Sequence, residues 1–85
     1  MLTVYQVVQR YLPEPSCGCR SWVDHGRHLW EEDPVYLLGL VLYLMREDIE
    51  VKVVVDDGYV QDGHHHIVAL LALFQKDRQV EVRQA

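Results

Sequence analysis

The segment Asp33–Arg46, DPVYLLGLVLYLMR, constrains this chain more than any other stretch. Asp33 is a good N-cap, and Pro34 suits the first helical position, where its missing N–H costs nothing. The spacing predicts a helix to about Arg46 that is apolar nearly all round, from Val35 to Met45 with only Gly39 interrupting. A surface helix carries one apolar stripe, and this one has no polar face until Arg46. Such a helix is either the centre of a core or partly covered by a partner chain. In a chain of 85 residues, about half of them apolar, one small domain is expected and its core is modest. Residues 34–46 are expected either to serve in part as a homo-oligomer or partner interface, or to be buried under a sheet and a loop. The stretch is shorter than the ~20 residues a bilayer requires, so no membrane role is expected.

The remaining elements are read from period and punctuation. The opening LTVYQVVQRY places Val4, Val7, Val8 and Tyr11 at i, i+3, i+4, i+7, and Thr3 with Gln6 forms a capping-box pattern. A short helix entered from an extended Met1-Leu2 is expected, stopped by Pro13 and Pro15. Residues 16–32 show no clean period and read as a loop. EVKVVV at 50–55 reads as an interior strand, and Asp57-Gly58 as a tight hairpin turn into a returning strand. Asp62-Gly63 closes that strand. His64–Gln75 reads as a helix through Ile67, Leu70, Leu71 and Phe74, with Lys76 and Arg78 favourable for its dipole. QVEVRQ at 79–84 alternates as a last strand. The fold class is α+β, a small mixed sheet packed with helices in one domain, residues 1–85.

Charge and cysteine usage narrow the function classes. A formal charge of −5 disfavours a non-specific nucleic-acid coating protein. Cys17 and Cys19 are the only cysteines, and one intervening residue strains any bridge between them. With no secretory apolar region, the expected setting is a reducing cytoplasm, with free thiols. Cys17, Cys19, His25 and His28 offer zinc-ligand chemistry, but one residue between the cysteines is poor zinc spacing.

The stretch DDGYVQDGHHHIVALLA carries the strongest chemical signal. A helix opening at His64, just after a glycine, presents unpaired N–H groups and partial positive charge, which favours an anion. Successive side chains on a helix point about 100° apart, so His64, His65 and His66 do not readily share one metal ion, although one or two of them could do so with His25 or His28. The bland alternative is that one histidine caps the helix and the others face solvent.

This stretch resembles the signature of the ParB/sulfiredoxin superfamily, in which a hairpin leads into a short Gly-x-x-Arg box, commonly Asp-Gly-His-His-Arg. That box opens a helix and holds nucleotide phosphates. The resemblance extends to the opening LTVYQVVQRYLPEP, to REDIEVKVVV and to QVEVRQ. By position, Gly63 matches the box glycine, Asp62 the acidic residue before it, and His64 and His65 the variable pair. His66 stands where the family has arginine, replacing a permanent, two-pronged charge with a largely neutral ring. Arg20, Arg27 or Arg46 would then have to supply the charge. His64 also stands where sulfiredoxins have their reactive cysteine, so sulfinic-acid repair is not supported.

The resemblance implies a stand-alone ParB-like nuclease-type domain, of the kind found in phage and plasmid genomes. It implies a nucleotide or nucleic-acid phosphate bound at Asp62, Gly63, His64, His65 and His66, with Mg²⁺ accompanying a nucleotide. It also implies a carboxylate base, for which Glu31 and Glu32 are the candidates, ahead of Asp33, Asp56 and Asp57. Trp22 and Trp30 could stack a base or simply pack. The other reading is a non-catalytic accessory or oligomerisation protein with a degenerate phosphate box.

Overall fold

A computed structural model describes residues 1–15 and 18–85. The described residues form a mixed α+β fold, with four helices and a five-stranded sheet. The chain runs β1 (Leu2–Thr3), α1 (Val4–Arg10), β2 (Leu12–Pro13), α2 (Trp22–Glu32), α3 (Pro34–Arg46), β3 (Val51–Asp56), β4 (Tyr59–Asp62), α4 (His64–Ala72) and β5 (Gln79–Gln84).

The sheet order is β1-β5-β3-β4-β2. β3 and β4 form the antiparallel hairpin, while β5 returns parallel to β3 with Val51 opposite Val80 and Val53 opposite Val82. β1 closes one edge antiparallel to β5, and β2 closes the other parallel to β4. Pro13 is tolerated in β2 because an edge strand leaves one side of its backbone unpaired. β3 is central, as expected, but only one of its faces is buried. Val51, Val53 and Val55 are enclosed, whereas Lys52 and Asp56 are exposed. On the open face, Glu81 lies 3.8 Å from Lys52 and 3.4 Å from Arg83.

Local signals in the first helix act as the spacing predicts. Thr3 Oγ1 accepts from the Gln6 N–H at 3.1 Å, and the Thr3 N–H donates to Gln6 Oε1 at 3.0 Å. The helix buries Val4 and Val7 and ends at Arg10.

Residues 22–32, expected as loop, are instead the helix α2. Ser21 Oγ caps it by accepting from the Asp24 N–H. Its buried residues are Trp22, His25 and Leu29, a helical i, i+3, i+7 series with a histidine in the middle. Counting His25 as polar and Gly26 as a breaker hides that period.

Of the two apolar helices, α3 leaves much of its apolar surface exposed and α4 is enclosed. α4 is the core helix: Ile67, Val68, Ala69 and Leu70 are all buried, and it touches α1, α2 and α3. It ends at Ala72 rather than Gln75. α3 lies outside it and encloses only Leu37 and Leu44, with Leu40 and Val41 partly covered. Arg78, expected to serve the dipole of α4, serves α3 instead. Its guanidinium donates to the carbonyls of Leu44, Glu47 and Ile49, at 3.4, 3.4 and 2.8 Å, and to Gln75 Oε1 at 3.0 Å. No helix among the described residues is long and apolar enough to cross a membrane.

Candidate functional site

The hairpin and Gly63 set the site's geometry. Asp57 and Gly58 both have positive φ, 51° and 82°, as a tight two-residue turn requires. β4 then delivers the chain to Gly63, the N-cap of α4, at φ 100°. A Cβ there would lie 2.7 Å from Val53 Cγ1 and 3.1 Å from the Lys52 carbonyl oxygen. Glycine is thus demanded by the close crossing over β3 as well as by its own φ. No side chain caps α4, and the N–H groups of a helix's first turn have no acceptor within the helix.

The three histidines of that turn have separate surroundings. His64 turns inward. Its Nε2 accepts from the Glu14 N–H at 3.2 Å, and the ring also hydrogen-bonds the Val60 backbone. It lies 4.8 Å from the His25 ring and 6.0 Å from that of Trp22. Burial holds its pKa below the usual histidine range, although the Val60 bond and the Glu14 charge work against that shift. His65 places Nε2 3.1 Å from Asp33 Oδ2 and its ring edge-on to Tyr36. His66 is half-buried, and burial also lowers its pKa against the opposing charge of Asp62.

A depression of about 280 Å³ is lined by Tyr36, Asp62, Gly63, His64, His65 and His66. The fold therefore gathers all five residues expected to hold phosphate, and adds Tyr36. Neither lysine nor arginine lines it. Arg27 lies in the groove between α2 and α4, and Arg46 lines a depression at the far end of α3. Arg20 is exposed in the segment before α2.

Glu31 and Glu32 are exposed on the last turn of α2 and do not line the depression. The carboxylate from this junction that reaches the box is Asp33. It was expected to cap α3, but its side chain makes no cap bond and engages His65 instead. Asp56 and Asp57 sit at the hairpin end. Trp22 is a packing residue, nearly enclosed, with Nε1 donating to the Tyr11 carbonyl at 2.8 Å. Trp30 packs partly buried against the core.

Sequence reasoning missed the inward cluster beneath the box. Trp22, His25 and His64 meet between α2 and α4, with the His28 ring 6.4 Å from that of His25. His25 is 6% exposed. Its pKa is lowered to about 4, first by burial, then by the neighbouring His64, His28 and His65, with Glu14 opposing. The spacing of Trp22, His25 and Leu29 was the signal that could have revealed it. For the zinc expectation, Cys17 lies outside the described residues. Cys19 is disulfide-bonded rather than a free thiol. Among the described residues, no group of three or more His, Cys, Asp or Glu side chains is placed to hold a metal ion.

No protein-family model, curated protein or solved structure matches the chain.

Proposed function

We propose that this chain is a non-catalytic interaction module of ParB/sulfiredoxin-like type, whose α3 face is covered by another protein surface. The observation that carries this reading is the exposure of α3. Val35, Tyr36, Leu38, Leu42, Tyr43 and Met45 are each 49% to 85% exposed, on a helix that buries only Leu37 and Leu44. An apolar patch of this kind marks an interaction site far more often than an inert surface. The box supports the same reading. Gly63 is required by packing against β3, His64 is tied to Glu14 and Val60, and His65 is tied to Asp33. Asp62 lines the depression and Asp33 reaches its His65, and neither lysine nor arginine is among the described residues lining it to attract phosphate. The family-level part of the proposal rests on the succession of hairpin, Asp-Gly-His-His stretch and helix, set on a mixed sheet.

One experiment tests the module reading. The α3 methyl signals of Val35, Leu38, Leu42 and Met45 are followed by NMR in purified protein and in extract of the source cells. Broadening or shifts confined to that face, and lost in Leu42→Lys, are expected. Methyls that stay sharp and unshifted in both settings overturn the reading.

A second reading has one observation in its favour. The N-terminus of α4 has no side-chain cap, and its first turn lines a depression open to an anion. This reading makes Gly63–His66 a nucleotide or nucleic-acid phosphate site. ATP, ADP and CTP, with and without Mg²⁺, are titrated while the amide signals of residues 62–68 are followed. The module reading expects no shift at millimolar nucleotide. The phosphate reading expects a shift that tightens in His66→Arg.

A further inference from the structure

We infer that the occupant of the α3 face is a second copy of this chain, packed antiparallel with the two α3 helices crossing at Gly39. The inference rests on the module reading above and names its partner. Gly39 sits mid-helix and exposed, and a Cβ added there would meet no described atom of its own chain within 4 Å. Glycine inside a helix is less favourable than alanine, and no described residue of this chain packs against the position so as to require it. On the helix surface Val35, Gly39, Leu42 and Arg46 follow i, i+4, i+7, i+11 spacing, on the side opposite Leu37 and Leu44. The missing side chain thus lies at the midpoint of the exposed apolar stripe. There it lets a second helix approach to about 8 Å, the short end of the range typical of helix pairs.

Charge gives the direction. Glu31, Glu32 and Asp33 stand at the N-terminal end of α3, and Arg46 is its last residue. An antiparallel crossing centred on Gly39 brings Arg46 of each copy to the acidic end of the other, and it also opposes the two helix dipoles. Glu47 and Asp48 follow Arg46, and Arg78 lies 3.8 Å from Asp48, so this end balances its carboxylates with two guanidinium groups while the other end is purely acidic. A parallel crossing would instead stack the acidic ends together. The area is adequate as well. The six exposed side chains offer on the order of 600 Å² of apolar surface per copy, given the 150–250 Å² an aromatic side chain can bury. A standard interface needs about 800 Å² per partner, roughly two-thirds of it apolar at its core.

The full chain is examined by sedimentation from about 10 μM to about 1 mM, a range that spans moderate dimer affinities. A monomer–dimer equilibrium is expected. Isotope-filtered NOEs should connect the Val35 methyls of one copy to the Tyr43 ring of the other. Within one chain these residues are about 12 Å apart along the helix, too far for such a signal. Leu42→Glu and Gly39→Met should each weaken the dimer at least about tenfold, as loss of a central contact does. Far-UV helicity should be retained in both, because neither side chain is enclosed by its own chain. Glu32→Arg and Arg46→Glu should each weaken the dimer, and the double swap should recover it. Self-association through α3 with like-to-like contacts, or with another stoichiometry, overturns the inference and leaves the module reading standing. A chain that stays monomeric to about 1 mM, or a dimer indifferent to Leu42→Glu, also overturns it. The extract measurement then decides the module reading separately.

Discussion

Nε2 of His65 lies 3.1 Å from Oδ2 of Asp33, joining the first turn of α4 to the start of α3. Asp33 has the sequence position of an N-cap, yet its carboxylate is turned to this partner and its own helix starts without a side-chain cap. The pair is partly exposed, so its net worth is small, about 0.5 kcal/mol or less at moderate salt. A double-mutant cycle on Asp33→Ala and His65→Ala should give a coupling energy of that size, measured by urea unfolding. A cap role for Asp33 would instead show as a loss of about 1 kcal/mol for Asp33→Ala, indifferent to His65.

Gly63 and Gly39 should respond in opposite ways to alanine. At Gly63 the new Cβ meets Val53 Cγ1 at 2.7 Å with φ at 100°, so strain and overpacking combine to about 3 kcal/mol of destabilisation. At Gly39 the space is open, and alanine should stabilise the isolated monomer by about 0.5–1 kcal/mol through helix propensity. Thermal unfolding of the two variants, at a concentration where the chain is monomeric, checks both signs.

Arg78→Ala should be among the more damaging changes outside the apolar core. The guanidinium is largely buried and serves three backbone carbonyls at the end of α3. Removing it leaves acceptors short of donors, at about 2–3 kcal/mol. Arg78→Lys should recover only part of the loss, because an ammonium cannot span those carbonyls with one planar fork. Urea midpoints and amide exchange rates of Leu44–Ile49 would show whether the damage centres on that turn.

His25 makes stability depend on pH in a defined direction. The folded chain takes up its proton only near pH 4, against an ordinary value of 6.5. The neutral form is the one the fold favours, so this contribution is complete above about pH 6.5. It is lost as pH falls toward 4, and one such histidine accounts for roughly 3 kcal/mol over the window. His64 and His66, also lowered by burial, act in the same direction. Urea unfolding at stepped pH should show stability rising from pH 4 to 6.5. His25→Phe, which keeps a ring beside Trp22 and His64, should flatten that rise.

Signals carried by neighbours in sequence were legible. Thr3 and Gln6 cap α1 reciprocally, Pro34 opens α3, Asp57-Gly58 turns the hairpin, and Gly63 opens α4. Each depends on φ, on a missing Cβ or on a bond spanning three residues, and sequence alone specifies these. α2 was illegible because a buried histidine, a residue with polar ring nitrogens in either charge state, completes its core-facing series. Which of the two apolar helices lies inside was decided by the tertiary structure. α4 follows β4 directly and passes over β3 at Gly63, so Ile67–Leu70 are enclosed by the sheet and by α1, α2 and α3. α3, the longer apolar run, is left to cover α4 from outside with Leu37 and Leu44, and much of the rest of its apolar surface faces out. Composition sets how much apolar surface a chain must hide, but only the packing of distant segments decides which part stays exposed.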